Sequence, residues 1–157
     1  MDITIGQLIK DKGSNVASIA HDASIQQCAI KLQQEGIGSL LILKEGDLIG
    51  ILYERDIARK AVVHQMDLST TPISAIMSTQ FPTVRRDTMV SQAMSVINKE
   101  RVRHLPVIEN DVVYGLVSIG DLNNFMLSSQ QEDIDHLVNY ITGVTPISFA
   151  DPSEHHD

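Results

Sequence analysis

Hydrophobic positions follow two periods along this chain. Ile25, Ala29 and Leu32, and later Val90, Met94 and Ile97, recur every three or four residues, the spacing of amphipathic helices. Ser24 with Gln27 makes a capping box that opens the first of these. Short apolar runs bounded by turn residues predict strands at Val16–Ala20, Ser39–Leu43 and Leu48–Tyr53, then at Thr83–Arg85, His104–Ile108 and Val112–Ser118. Glu45-Gly46-Asp47 and Asn110-Asp111 supply tight turns, so the second and third strands of each set pair antiparallel. A further helix is expected to begin near Glu54, and another near Ile119.

These elements are one pattern written twice. Shifting the sequence by 65 residues aligns Asp22 with Asp87, Leu40 with Leu105, Gly50 with Gly115 and Asp56 with Asp121. Ile19 then meets Val84, Ile25 meets Val90 and Ile42 meets Val107. Upstream, Ile5-x-x-Leu8-Ile9 matches Ile73-x-x-Ile76-Met77 at an offset of 68, so copy one carries three extra residues near Asp11–Ser14. The unit is β-α-β-β-α, an α/β fold with residues 1–64 as repeat one, 65–72 as linker and 73–128 as repeat two. Ile19, Ile25, Leu32, Leu40, Ile42, Ile51, Val84, Val90, Ile97, Leu105, Val107 and Val117 are the expected core. After the repeats, Ser129 and Glu132 form a second capping box. Ile134, Leu137, Val138 and Ile141 make an apolar stripe ending at Gly143, which predicts a separate C-terminal amphipathic helix at 129–143. Residues 144–157 show no period and read as a flexible tail.

Charge narrows the partners. The net charge is −8, and residues 129–157 hold six acids with no Lys or Arg, leaving the rest of the chain near neutral at −2. An extended basic face for nucleic acid is lacking. One local basic stretch, Phe81 to His104, carries +3 through Arg85, Arg86, Lys99, Arg101 and Arg103, enough to hold a small anion. No long apolar run suggests a membrane span, and the N-terminus lacks a signal-peptide pattern. Together with the single cysteine, Cys28, these features lead us to expect a cytoplasmic protein. Cys28, beside Ala29 on a helix's apolar side, reads as a buried structural thiol. The six histidines are scattered, and even the His155-His156 pair gives no dedicated metal site. No catalytic triad order or phosphate loop is present, so an enzyme is not expected.

Both copies close on related segments: Gly50-Ile51-Leu52-Tyr53-Glu54-Arg55-Asp56 and Gly115-Leu116-Val117-Ser118-Ile119-Gly120-Asp121. In each a strand ends and a helix starts, so backbone N–H groups and the positive helix end face outward, suited to phosphate. An Asp one turn in is an acceptor-only carboxylate. These segments, with Arg103-His104-Leu105-Pro106-Val107, resemble a tandem pair of CBS domains (a Bateman module) of the small stand-alone bacterial type. The resemblance covers residues 3–128. It implies two repeats packed by pseudo-twofold symmetry, a homodimer joined by helical faces, and an adenine nucleotide ligand (AMP, ADP, ATP or NAD(H)) between the repeats. It also implies a non-catalytic module that signals to a regulated partner protein.

Residue by residue, the resemblance gives Asp121 the ribose hydroxyls and Ser118 the ribose or phosphate, with Ile119 and Gly120 between them. Arg101, Arg103, His104 and Pro106 lie on the phosphate approach. Copy one departs from the pattern: Tyr53 stands where Ser or Thr belongs, beside Arg55 and Asp56, and Gly36 and Gly38 replace Arg101 and Arg103. A phenol there either fills the cleft or stacks on adenine. Arg55, Arg59 and Lys60 are candidates to reach across to a ligand held by copy two. The dimer is expected through Ile57, Ala61 and Val62 and through Leu122, Phe125 and Met126. The alternatives are a ligand-independent interaction module whose acidic helix docks a basic partner, a redox-linked regulator, and an S-adenosylmethionine sensor.

Overall fold

The computed structural model describes residues 1–12 and 16–143. The expected tail, the His155-His156 pair and part of the copy-one insertion lie outside those residues. Two compact units emerge, residues 2–119 and a helical unit from Gly120 onward that includes Met1, and each is described by itself. The elements are α1 (Ile5–Lys12), β1 (Ser18–Ala20), α2 (Ile25–Glu35), β2 (Ser39–Lys44), β3 (Asp47–Tyr53) and α3 (Glu54–Asp56), which runs into a π-helix at Ile57–Val62. A 3-10 turn (Ile73–Ala75), α4 (Val90–Glu100), β4 (His104–Glu109), β5 (Val112–Ser118) and α5 (Ile119–Thr142) follow.

Local chemistry explains the boundaries. The Gln27 N–H donates to Ser24 Oγ (3.1 Å) and the Ser24 N–H to Gln27 Oε1 (2.8 Å), closing the predicted capping box of α2. In α4 only half of that device exists: the Met89 N–H donates to Gln92 Oε1 at 3.0 Å, and a methionine has no oxygen to return. Both helices end on a left-handed residue, Gly36 (φ 61°) in copy one and Arg101 (φ 54°) in copy two. Both hairpin turns place two residues at positive φ, Glu45-Gly46 and Asn110-Asp111, matching the twist of the strands they join.

In copy one, β1 pairs parallel to β2, and β2 antiparallel to β3. Copy two repeats the antiparallel pair, with His104 opposite Ser118, but the strand expected at Thr83–Arg85 shrinks to one bridge, Val84 to Val107. Pro106 removes one rung of that pairing. Its counterpart Leu41 donates an N–H to the Ala17 carbonyl (3.1 Å), a bond proline has no hydrogen to make. The expected core residues are buried, save Ile19, which is partly buried at the edge of the copy-one cluster.

The two copies complete each other. Segment 3–12, which leads copy one, docks on copy two: the Ile5 N–H donates to Thr88 O (2.7 Å), Gly6 to Arg86 O (2.8 Å), and Val90 to Ile3 O (2.8 Å). Segment 71–78, its counterpart, docks on copy one: Ile73 donates to Ala23 O (2.7 Å), Ser74 to His21 O (3.3 Å), and Ile25 to Thr71 O (3.0 Å). Side chains follow suit, with Ile9 over Gly115 and Met77 over Gly50.

The helical unit corrects one expectation. No new helix opens at Ser129; α5 runs unbroken from Ile119 to Thr142. Neither Gly nor Pro interrupts residues 121–142, and Ser128 Oγ donates to the Asn124 carbonyl one turn back (2.9 Å) without breaking the helix. Ser129 Oγ instead accepts from the Met1 ammonium (3.0 Å). The helix stops before Gly143, as its sequence predicts. The apolar residues expected to be spare are only partly so: Ala61 and Leu122 are buried, Ile57 packs on the copy-one core and Phe125 is half-buried, while Val62 and Met126 are exposed.

Candidate functional site

The site builds up where the central strands of both copies begin. Ser39 opens β2 opposite Tyr53, the last residue of β3, and the Glu54 N–H donates to Gly38 O (3.0 Å). In copy two His104 opens β4 opposite Ser118, and the Ile119 N–H donates to Arg103 O (2.7 Å). These strand starts bring Gly38 and His104 together. A Cβ placed on Gly38 would lie 3.2 Å from His104 Cε1, so a side chain there would have to move the imidazole by a few tenths of an ångström.

Two hollows share Gly38 and His104 in their walls. One is an open cleft of about 870 Å3 lined by Val16, Ala17 and Ser18, by Lys31 and Glu35 of α2, by residues 36–39, and by His104, Leu116 and Ser118. The other is a small recess of about 110 Å3 lined by Gly38, Tyr53, Glu54, Arg55, Arg59, Arg103 and His104. Three arginines from two copies thus line the recess with a single acid, Glu54, a composition suited to a compact anion.

Several walls are held in place. The Arg55 guanidinium lies 5.1 Å from the Tyr53 ring centre and donates to the Arg101 carbonyl (3.3 Å), tying the copies together. Burial pushes the Tyr53 phenol above its ordinary pKa; Arg55 partly offsets this and Asp56 adds to it. The Tyr53 hydroxyl and Ser39 Oγ are buried with no hydrogen-bond partner among the described residues. A buried hydroxyl in that condition costs about 1–3 kcal/mol, which a bound polar ligand would recover. In the cleft, Lys31 Nζ donates to the Ser18 carbonyl (2.9 Å).

The residues singled out by sequence separate into groups. Tyr53, Arg55, Arg103 and His104 meet in the recess, and His104 and Ser118 in the cleft. Asp56 lines neither: its carboxylate accepts from the Tyr53 N–H (3.3 Å) and pairs with Lys60 (3.8 Å), fixing the start of α3. Lys60, with its ammonium on the Ile76 carbonyl (3.1 Å), is likewise structural. Arg101 lines neither hollow and serves as a left-handed helix cap. Pro106 is buried in β4. Gly120 and Asp121 lie in the first turn of α5, in the helical unit. Sequence reasoning missed Ser39, Lys31 and Glu54. Ser39 was within reach, because the 65-residue shift that finds the repeat sets it against His104.

Other chemistry is sparse. Cys28 is buried in the copy-one core, and burial pushes its thiol up to about 11, with Lys31 pulling weakly the other way. Among the described residues no cluster of His, Cys, Asp or Glu is suited to a metal ion, and no helix is long and apolar enough to cross a membrane.

A family model for the CBS domain matches this chain twice, at residues 8–63 and 73–128. The chain belongs to the CBS-domain family. It is 31% identical over 149 residues, 89% of this chain and 72% of the relative, to the mitochondrial CBS domain-containing protein CBSX3 of Arabidopsis thaliana. It is 27% identical to the CBS domain-containing protein YhcV of Bacillus subtilis, over 74% of this chain and 83% of that one. Among solved structures, the CBS-domain protein NE2398 superposes with a TM-score of 0.77 at 35% identity, covering 81% of this chain and 99% of its own. The CBS domain protein PAE2072 of Pyrobaculum aerophilum, solved in complex with AMP, gives 0.67 at 25% identity, covering 76% and 89%. The chain is thus a tandem CBS-domain module of the regulatory kind, mixed α/β, with an added C-terminal helix.

Proposed function

We propose that this CBS module is a non-catalytic sensor of an adenine nucleotide and that its phosphate end is bound in the Tyr53 recess. The convergence of Arg55, Arg59 and Arg103 on a recess that meets the larger cleft at Gly38 and His104 carries the reading. The cleft has the volume of a ligand site. The orphan hydroxyls of Ser39 and Tyr53 offer polar contacts. The AMP bound to the Pyrobaculum relative supports the ligand class. In this reading the phosphate contact from copy two is Arg103, while copy one supplies Tyr53, Arg55 and Arg59. Ser118 belongs to the larger cleft and its ribose end. Lys31, in its wall, gives that cleft a cation.

Calorimetry across AMP, ADP, ATP, NAD(H) and S-adenosylmethionine tests the reading. Binding of at least one adenine nucleotide, tighter than adenosine, is expected because the guanidinium groups answer the phosphate. Silence for every ligand would favour the interaction-module reading instead. The homodimer expected of a CBS pair is supported on copy one by the exposed Val62 and Val63 at the end of the π-helix. Sedimentation at micromolar concentration checks it, and a monomer would refute it.

A further inference from the structure

Of the 24 residues in α5 only Leu122 is fully buried. Further along, Leu127, Ile134, Leu137, Val138 and Ile141 recur at intervals of three, four and seven residues and form one stripe. Each is between 49% and 78% exposed, although five branched aliphatic side chains in a row are expensive to leave in water. Acids border the stripe. Asp133 lies on one flank and Asp135 on the other, with Asp135 held by Gln131, whose Nε2 donates to its Oδ1 (2.8 Å). No Lys or Arg occurs anywhere from His104 to Asp157. The Met1 ammonium stands 3.9 Å from Asp133, in an exposed pair that solvent screens.

We propose that this stripe docks an amphipathic helix of a partner protein whose apolar face is bordered by Lys or Arg. Charge selects that occupant. A second copy of α5 would bring Asp133 and Asp135 against like charges with no Lys or Arg on either helix to answer them. An anionic lipid surface is repelled by the same acids. A basic helix buries the stripe and meets both acidic flanks, the arrangement by which coiled-coil edges choose partners. The proposal is independent of the nucleotide reading, and its test uses no nucleotide, so either fails without the other.

The test titrates the full-length chain with a synthetic peptide of Leu/Lys heptads and, separately, with the same peptide bearing Glu for Lys. The Leu/Lys peptide should bind and the Leu/Glu peptide should not. Ile134→Asp with Leu137→Asp should weaken the Leu/Lys complex at least about tenfold, or roughly 1.4 kcal/mol, although it adds negative charge. Leu137→Lys gives a second reading in the same direction should the double variant lose helicity. Asp133→Asn with Asp135→Asn should weaken binding and flatten its salt dependence. No binding of the Leu/Lys peptide overturns the proposal. So does binding that Ile134→Asp with Leu137→Asp leaves equal or stronger, because bulk attraction to an acidic chain then explains it. So does a dimer in sedimentation that Leu137→Asp dissociates, which assigns the stripe to a second copy.

Discussion

The two copies are built alike and end their central loops differently. Where copy one reads Gly36-Ile37-Gly38-Ser39, copy two reads Arg101-Val102-Arg103-His104. The glycine side makes room, and the arginine and histidine side fills it with charge. Gly38 lets His104 approach, Arg103 enters the recess beside copy-one arginines, and Arg101 takes over a helix cap that Gly36 fills without strain. Divergence between duplicated positions has thus lined one recess with arginines from both copies.

The largest effect should come from cutting the copies apart. Residues 1–64 contain a leading segment that docks on copy two and lack the segment 71–78 that closes copy one. With about sixty residues there is little core to spare. The fragment 1–64 should be unfolded by circular dichroism, and 16–80, which restores the copy-one partner, should be measurably more helical. Equal folding of the two fragments would break the reciprocal account.

Next in size is a contrast between equivalent glycines. A Cβ on Gly50 would lie 2.6 Å from Met77 Sδ and 3.1 Å from the Ser78 carbonyl, whereas on Gly115 its nearest neighbour is Ile9 at 3.6 Å. Gly50→Ala should therefore cost about 1–3 kcal/mol in urea unfolding through overcrowding. Gly115→Ala should be neutral or gain up to about 1 kcal/mol, because alanine loses less backbone entropy in a strand.

Nucleotide binding separates the arginines. Arg103→Ala removes a charge-assisted contact of about 1.5–3 kcal/mol. AMP affinity should then fall at least about tenfold at roughly 1.4 kcal/mol per decade, with adenosine little affected. Ser118→Ala should hurt AMP less. The reverse order, seen by calorimetry, would return the principal site to the copy-two motif.

Smaller effects concern stability. The buried Cys28 thiol sits near 11 instead of its ordinary 9.0, so the folded chain holds its proton longer than the unfolded chain. That contribution is fully present below pH 9 and is lost as pH rises toward about 11. Alkaline urea titrations should show the slope, and Cys28→Ala should remove it. The same burial makes a thiol-based redox role the weakest of the alternatives. Finally, Arg101→Gly should stabilise the fold by about 1 kcal/mol, since a left-handed residue with a Cβ is strained. It should leave AMP affinity nearly unchanged, because Arg101 lines neither hollow. A large loss of AMP binding would restore Arg101 to the phosphate site.

Much of this was legible in the chain itself. Periodicity placed α2, α4 and both hairpins close to their observed limits, because each signal is local: a capping box at Ser24, paired turn residues at Glu45-Gly46 and Asn110-Asp111. Part of the loss at Thr83–Arg85 was also written there, in Pro106, but only pairing with its neighbour revealed which hydrogen bond the proline deletes. The break expected at Ser129 shows the opposite error. A capping box is permissive, and without a glycine or proline before it the helix continues.

The sequence by itself determined the duplication, the repeat's element order, the core and the residues bearing charge, since all follow from spacing and composition. Tertiary structure alone decided which charges share a hollow. Assigned along the chain, Arg101 and Arg103 belonged with Ser118, because motif and clamp lie in the same copy. In the fold, Arg103 faces Tyr53, Arg55 and Arg59 of copy one, while Arg101 turns to cap a helix. The physical reason is that each copy is closed by the other's leading segment. The packing of two half-complete units, rather than sequence neighbourhood, sets which side chains converge.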